Sequence, residues 1–93
     1  GSSNIFVWYK SHLYTPALSE GCVEGVMRNI VIKLARQSNI PFTEAEINPD
    51  ILYEADEVFL TNAARGIQWV MGFGVKRYFN QLSKGLIGEL NKL

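Results

Sequence analysis

Cysteine, histidine and proline are scarce in this chain: one Cys, one His and three Pro among 93 residues. The lone Cys22 cannot close an internal disulfide, and with only His12 to join it no zinc site of Cys and His ligands can be assembled. An excess of either charge is missing as well, since nine basic and nine acidic residues cancel. Without a run of like charge, nothing tracks a phosphate backbone or an anionic membrane, so nucleic acid and membrane surfaces are not expected partners. Long apolar runs are absent too. Those at Asn4 to Tyr9 and Val58 to Leu60 are far too short to span a bilayer, and no signal peptide is expected. These absences point to a soluble protein, and a single thiol suits a reducing cytoplasm.

What the chain does have is apolar side chains, 47% of its residues, too many for a disordered tail or a solvated charged helix. Residues 1–93 make one small domain, or part of a larger one, with a thin core. Asn4 to Lys10 is apolar on both alternating faces, as a buried strand is. Ser11-His12 reads as a turn, with His12 an exposed turn residue rather than a ligand or base. Leu13-Tyr14-Thr15 returns as a short partner strand until Pro16 removes a donor.

From Gly25 to about Ser38, Val26, Met27, Ile30, Val31, Leu34 and Ala35 share one half of a helical wheel, with Arg28, Asn29, Lys33 and Arg36 opposite. Ile32 falls on the polar side, which predicts contact with a missing domain or a partner. Asn39 is placed to cap this helix, and Pro41 forbids its continuation. Phe42 to Ile47 alternates as a partly exposed strand, and Asn48 caps a short helix through Glu54 with Pro49 in its first turn. Glu57 to Thr61 is a second core strand. Ile67 to Phe73 predicts another, with Trp69, Met71 and Phe73 on one side, and Gly72 and Gly74 permit a hairpin back through Lys76 to Phe79. Leu82, Leu86, Leu90 and Leu93 form the stripe of a last helix over 80–93, in which Gly85 and Gly88 cost roughly 1 kcal/mol apiece. Strands alternating with helices place the fold in the α/β class.

Two stretches are placed to hold a ligand. The glycine-punctuated turn before Val26 leads straight into the amphipathic helix, so backbone N–H groups at Gly25, Val26 and Met27 lack intrahelical partners and favour a phosphate or carboxylate. The second is the loop Asn62-Ala63-Ala64-Arg65-Gly66, small and polar at a strand's carboxyl end, a common ligand position in α/β sheets. Asn62 also reads as a plain turn former, and Arg28 as an ion-pair partner on the helix surface.

Four blocks then stand in order: Asn4-Ile5-Phe6, Leu13-Tyr14-Thr15-Pro16, Gly21-Cys22-Val23-Glu24-Gly25-Val26-Met27-Arg28 and Ala55-Asp56-Glu57-Val58-Phe59-Leu60-Thr61-Asn62. Together they resemble the carboxyl-terminal part of class IV pyridoxal-phosphate enzymes, a family of branched-chain aminotransferases, D-amino-acid aminotransferases and 4-amino-4-deoxychorismate lyases. The resemblance implies a mixed sheet or open pseudo-barrel with a central amphipathic helix and a C-terminal helix. It implies that the N–H groups of Val26 and Met27 hold the cofactor phosphate and that Asn62 and Ala63 form the second phosphate loop. Branched-chain transaminases usually carry a glycine and a threonine at those last two positions, and Asn followed by a small residue is more like the lyase branch.

The family's chemistry also needs a lysine that forms a Schiff base with the cofactor and a carboxylate that pairs its pyridine nitrogen. The resemblance puts both ahead of Gly1, and none of Lys10, Lys33, Lys76, Lys84 or Lys92 occupies a matching position. The chain is therefore expected to be the carboxyl-terminal portion of a homodimeric enzyme acting on a small molecule, lacking its amino-terminal domain and inactive alone. A lyase making 4-aminobenzoate for folate is the leading reading. The alternatives are a branched-chain or D-amino-acid aminotransferase, or a stand-alone module that binds a phosphorylated ligand or a protein.

Overall fold

The computed structural model describes residues 3–17 and 25–93. Residues 18–24, expected to turn into the helix and holding Cys22 and three more of the glycine-block residues singled out above, lie outside the described residues. Five strands form one sheet in the order β3-β2-β1-β4-β5: β1 Asn4–Tyr9, β2 His12–Thr15, β3 Phe42–Glu44, β4 Glu57–Asn62 and β5 Gly66–Trp69. All neighbours are antiparallel except β2 and β3, which run parallel because helix α1, Val26–Gln37, crosses between them. A small hairpin, β6 Gly72–Phe73 with β7 Lys76–Arg77, follows the sheet, and helix α2, Gln81–Leu90, ends the fold. The mixed sheet with one central and one terminal helix is the architecture expected from the sequence.

Both faces of the sheet are covered, which is why β1 and β4 are apolar at successive positions. Against the helices lie Phe6, Leu13, Phe59 and Ile67, packed on Val31, Ile32, Leu34 and Ala35 of α1 and Leu86 of α2. Phe6 and Phe59 are register partners, and their rings stack 5.0 Å apart. On the far side Val7, Ala55 and Val58 form a second, smaller cluster under Ile51, Leu52, Val70 and Tyr78. Each large side chain so buried contributes on the order of 2 kcal/mol. No helix among the described residues is long and apolar enough to cross a membrane.

The local signals acted largely as their chemistry dictates. Asn39 sits in the left-handed region at φ 57 and closes α1, with Ile40 N–H donating to Ala35 O at 2.8 Å and Asn39 N–H to Arg36 O at 3.2 Å, the paired bonds of a Schellman end. Asn48 Oδ1 accepts from Asp50 N–H at 3.0 Å and opens a 3₁₀-helix at Pro49–Tyr53.

Elsewhere the structure corrects the expectation. The first hairpin turns at Lys10 and Ser11, φ 49 and 58, one residue earlier than expected. Two adjacent left-handed residues make the tight turn whose twist matches the strands. His12 is therefore the first residue of β2, with Nε2 2.6 Å from Thr43 Oγ1. β3 ends at Glu44; Ala45 N–H still donates to Thr15 O at 3.0 Å, and beyond it the chain leaves β2 ahead of the 3₁₀-helix. The strand expected over 67–73 is broken after Trp69, and Gly72 begins the separate hairpin. A Cβ at Gly72 would lie 2.5 Å from the Lys76 carbonyl oxygen, so the close crossing of β6 and β7 requires glycine.

Ile32 is 7% exposed and belongs to the core rather than to a surface awaiting a partner. Val26, expected in the core stripe, is 65% exposed. Leu93 lies beyond the end of α2 and is exposed.

Candidate functional site

Helix α1 starts on a glycine. Gly25, at φ −89 and ψ 98, is the N-cap, and the first intrahelical bond runs from Asn29 N–H to Gly25 O at 3.0 Å. A glycine has no side-chain oxygen to accept from the first N–H groups, and no acidic residue occupies the first turn. The N–H groups of Val26 and Met27 thus carry the positive end of the helix dipole without a capping side chain at Gly25.

The same end of the sheet receives the second stretch. Asn4, the first residue of β1, pairs with Thr61, the penultimate residue of β4, and a Cβ at Gly25 would collide with the Asn4 side-chain amide. Through Asn4, the start of α1 and the end of β4 are neighbours, although 36 positions separate Val26 from Asn62 in the sequence. Val26 and Met27, at the start of α1, and Asn62 and Ala63, at the end of β4, thus lie toward the same end of the sheet. The absence of a side chain at Gly25 is what lets Asn4 approach the helix start.

Beyond β4 the chain turns tightly. Asn62 Oδ1 accepts from Ala64 N–H at 2.8 Å and from Arg65 N–H at 3.3 Å, so this side chain shapes the turn as an Asx motif does. Ala63 is exposed at the tip. Thr61, immediately before, is 1% exposed, and its Oγ1 has no hydrogen-bond partner among the described residues. A buried hydroxyl without a partner is unusual.

Arg28 is not on the helix surface. Its side chain is 4% exposed; Nη2 donates to Pro16 O at 3.0 Å and meets Glu44 Oε2 at 3.3 Å, while Nε is buried with no partner among the described residues. The ion pair is thus present but tucked between α1 and β3. Sequence reasoning missed this burial; it placed Thr61 in a buried strand and missed only its unpaired hydroxyl.

The lysines are occupied elsewhere. Lys10 is in the first hairpin turn, Lys33 is exposed on α1, Lys76 is in β7, Lys84 stands 5.7 Å from the Trp69 ring, and Lys92 pairs with Glu89 at 3.2 Å.

The start of α2 is built differently. Glu57, 3% exposed at the head of β4, accepts from Leu82 N–H at 2.8 Å and Ser83 N–H at 3.1 Å, and from Ser83 Oγ at 3.0 Å.

Residues 1–71 match the family described as amino-transferase class IV. A probable branched-chain-amino-acid aminotransferase of Thermotoga maritima is 37% identical over 79 residues, a match that covers 85% of this chain and 29% of the relative. Among solved structures, the branched-chain amino acid aminotransferase of Escherichia coli superposes with a TM-score of 0.91 at 27% identity, over 99% of this chain and 32% of that one. The 4-amino-4-deoxychorismate lyase of Pseudomonas aeruginosa superposes with a TM-score of 0.87 at 28% identity, over 97% of this chain and 34% of that one. The chain thus spans about a third of the length of the proteins it matches.

Proposed function

The chain belongs to the class IV aminotransferase family, whose enzymes depend on pyridoxal phosphate, and we propose that it is the carboxyl-terminal part of such an enzyme, holding the cofactor phosphate at the start of α1. The observation that carries this reading is the glycine-capped helix start placed beside the end of β4.

The residues present fit the group. Val26 and Met27 offer two backbone N–H donors with the helix dipole behind them, Gly25 brings the Asn4 amide close to those donors, and the unpartnered Thr61 hydroxyl lies in the strand leading into the second loop. Bound there, pyridoxal phosphate supplies the electron-accepting ring on which the chemistry of the family relies. The part of this chain is to bind and orient: the amide donors of Val26 and Met27 would hold the phosphate, and Ala63 and Ala64, whose turn is shaped by Asn62, would form the second phosphate loop. In this reading the reactive lysine, the carboxylate at the pyridine nitrogen and most of the substrate pocket lie in the portion of the enzyme ahead of residue 1. The enzyme is a cytoplasmic homodimer, and this part alone is inactive.

Within the family the favoured activity is that of 4-amino-4-deoxychorismate lyase, because Ala63 carries no hydroxyl for the phosphate where branched-chain aminotransferases usually have threonine. Branched-chain amino transfer is the second reading, favoured by the Thermotoga maritima relative. The deciding experiment incubates the whole purified protein with 4-amino-4-deoxychorismate, and separately with a branched-chain amino acid and a 2-oxo acid. Release of 4-aminobenzoate is the expected result. Amino transfer alone would assign the aminotransferase reading, and a protein that takes up no pyridoxal phosphate would overturn both.

A further inference from the structure

Arg28 is the first fully buried residue of α1, three positions past the glycine N-cap. The turn it belongs to has little else to anchor it, since Val26 is 65% exposed, Met27 and Ile30 are half-buried, and the run of fully buried apolar residues begins only at Val31. Helix ends held this lightly fray. Burying a guanidinium is costly unless hydrogen bonds and an opposite charge compensate it, and its partners show what this one holds. Nη2 grips the carbonyl of Pro16, just past β2, and the carboxylate of Glu44, the last residue of β3. Those two strands are register partners at Thr15 and Glu44, so one side chain ties the first turn of α1 to the ends of both.

We infer that Arg28 is a positioning residue for the phosphate cradle: by fixing the first helical turn to Pro16 and Glu44 it sets where the N–H groups of Val26 and Met27 point. It does not itself reach the ligand. The inference rests on the cofactor reading above. Donors displaced by a fraction of an ångström lose much of their effect on a bound anion, so the consequence falls on the phosphate and not on the rest of the cofactor.

The test therefore compares two ligands on the whole protein, pyridoxal phosphate and pyridoxal, which lacks the phosphate, by absorbance titration of wild type, Arg28→Met, Arg28→Lys and Glu44→Gln. Arg28→Met is expected to weaken pyridoxal phosphate about tenfold, the scale on which groups that orient ligand-holding residues act, and to leave pyridoxal unchanged. Arg28→Lys, which keeps the charge and one donor, should restore part of the difference. Should Arg28→Met fail to fold, Glu44→Gln, at a side chain 45% exposed, carries the test with a selective loss of about threefold. Equal losses for both ligands, or an unchanged ratio in Arg28→Lys and Glu44→Gln, would overturn the positioning role. A wild-type protein that binds both ligands alike would instead overturn the cradle itself.

Discussion

Helix α2 begins under a buried carboxylate, and helix α1 begins on a glycine. Every helix start leaves several N–H groups without intrahelical partners and concentrates positive charge there. At α2 the chain answers from within: Glu57, at the head of β4, takes both the Leu82 and Ser83 N–H groups and the Ser83 hydroxyl. At α1 the N-cap has no side chain, and the first turn has no acid. One strand serves both ends. β4 starts by closing α2 with Glu57 and finishes, at Thr61 and Asn62, beside the open start of α1. Among the described residues one helix start is capped by the chain's own carboxylate and the other rests on glycine, and this difference is what supports the proposal that the second takes an outside anion.

The largest expected effect breaks the closed end. Glu57→Leu leaves two buried N–H groups and the Ser83 hydroxyl unanswered and should cost about 3 kcal/mol of stability, read by denaturant unfolding. Hydrogen exchange should localise the loss to α2. The cofactor affinity of the molecules that remain folded should not change, because α1 is untouched.

The next effect sharpens the contrast from the open side. Gly25→Ala fits the backbone, since φ −89 and ψ 98 suit any residue, but its Cβ displaces the Asn4 amide, the free end of a flexible side chain. The fold should lose about 1 kcal/mol, whereas pyridoxal phosphate should bind about tenfold more weakly. The two helix starts thus respond differently: one mutation costs stability and spares binding, and the other costs less stability and weakens binding.

The two ends also differ in how readable they were. The open start of α1 was legible from glycine spacing and helical periodicity, both local. The closure of α2 was not, because Glu57 and Ser83 lie 26 positions apart and nothing in either neighbourhood announces the pairing. The same limit explains Arg28 and Ile32. A single helical wheel assigns them to the polar half, but α2 also packs on α1, so more than one half of α1 is covered, and Glu44 reaches Arg28 from β3. β1, β4, the Asn39 and Asn48 caps and the hairpin at Gly72 and Gly74 were legible because chemistry within a few residues decides them. The single-residue shift of the first turn reflects Lys10 and Ser11, neither of which advertises a left-handed backbone as glycine or asparagine would.

The smallest effect serves as a control away from both helix starts. The Tyr78 hydroxyl donates to Leu52 O on the far face of the sheet, and burial, followed by the neighbouring Tyr53, holds its pKa above the usual tyrosine value. A raised folded-state pKa means a contribution fully present below about pH 10 and lost as pH rises through the raised value. Stability should therefore fall in strong alkali, and Tyr78→Phe should flatten that decline at a cost of about 1 kcal/mol near neutrality. The pH dependence of unfolding checks both, and cofactor affinity should not move.

The most direct measurement is a crystal structure of the whole protein with pyridoxal phosphate bound. Phosphate oxygens within about 2.7–3.2 Å of the backbone nitrogens of Val26 and Met27, with α2 still closed by Glu57, are the expected result. A phosphate seated away from the start of α1, or a protein carboxylate filling that start in the presence of the cofactor, would contradict the open-and-closed reading of the two helices.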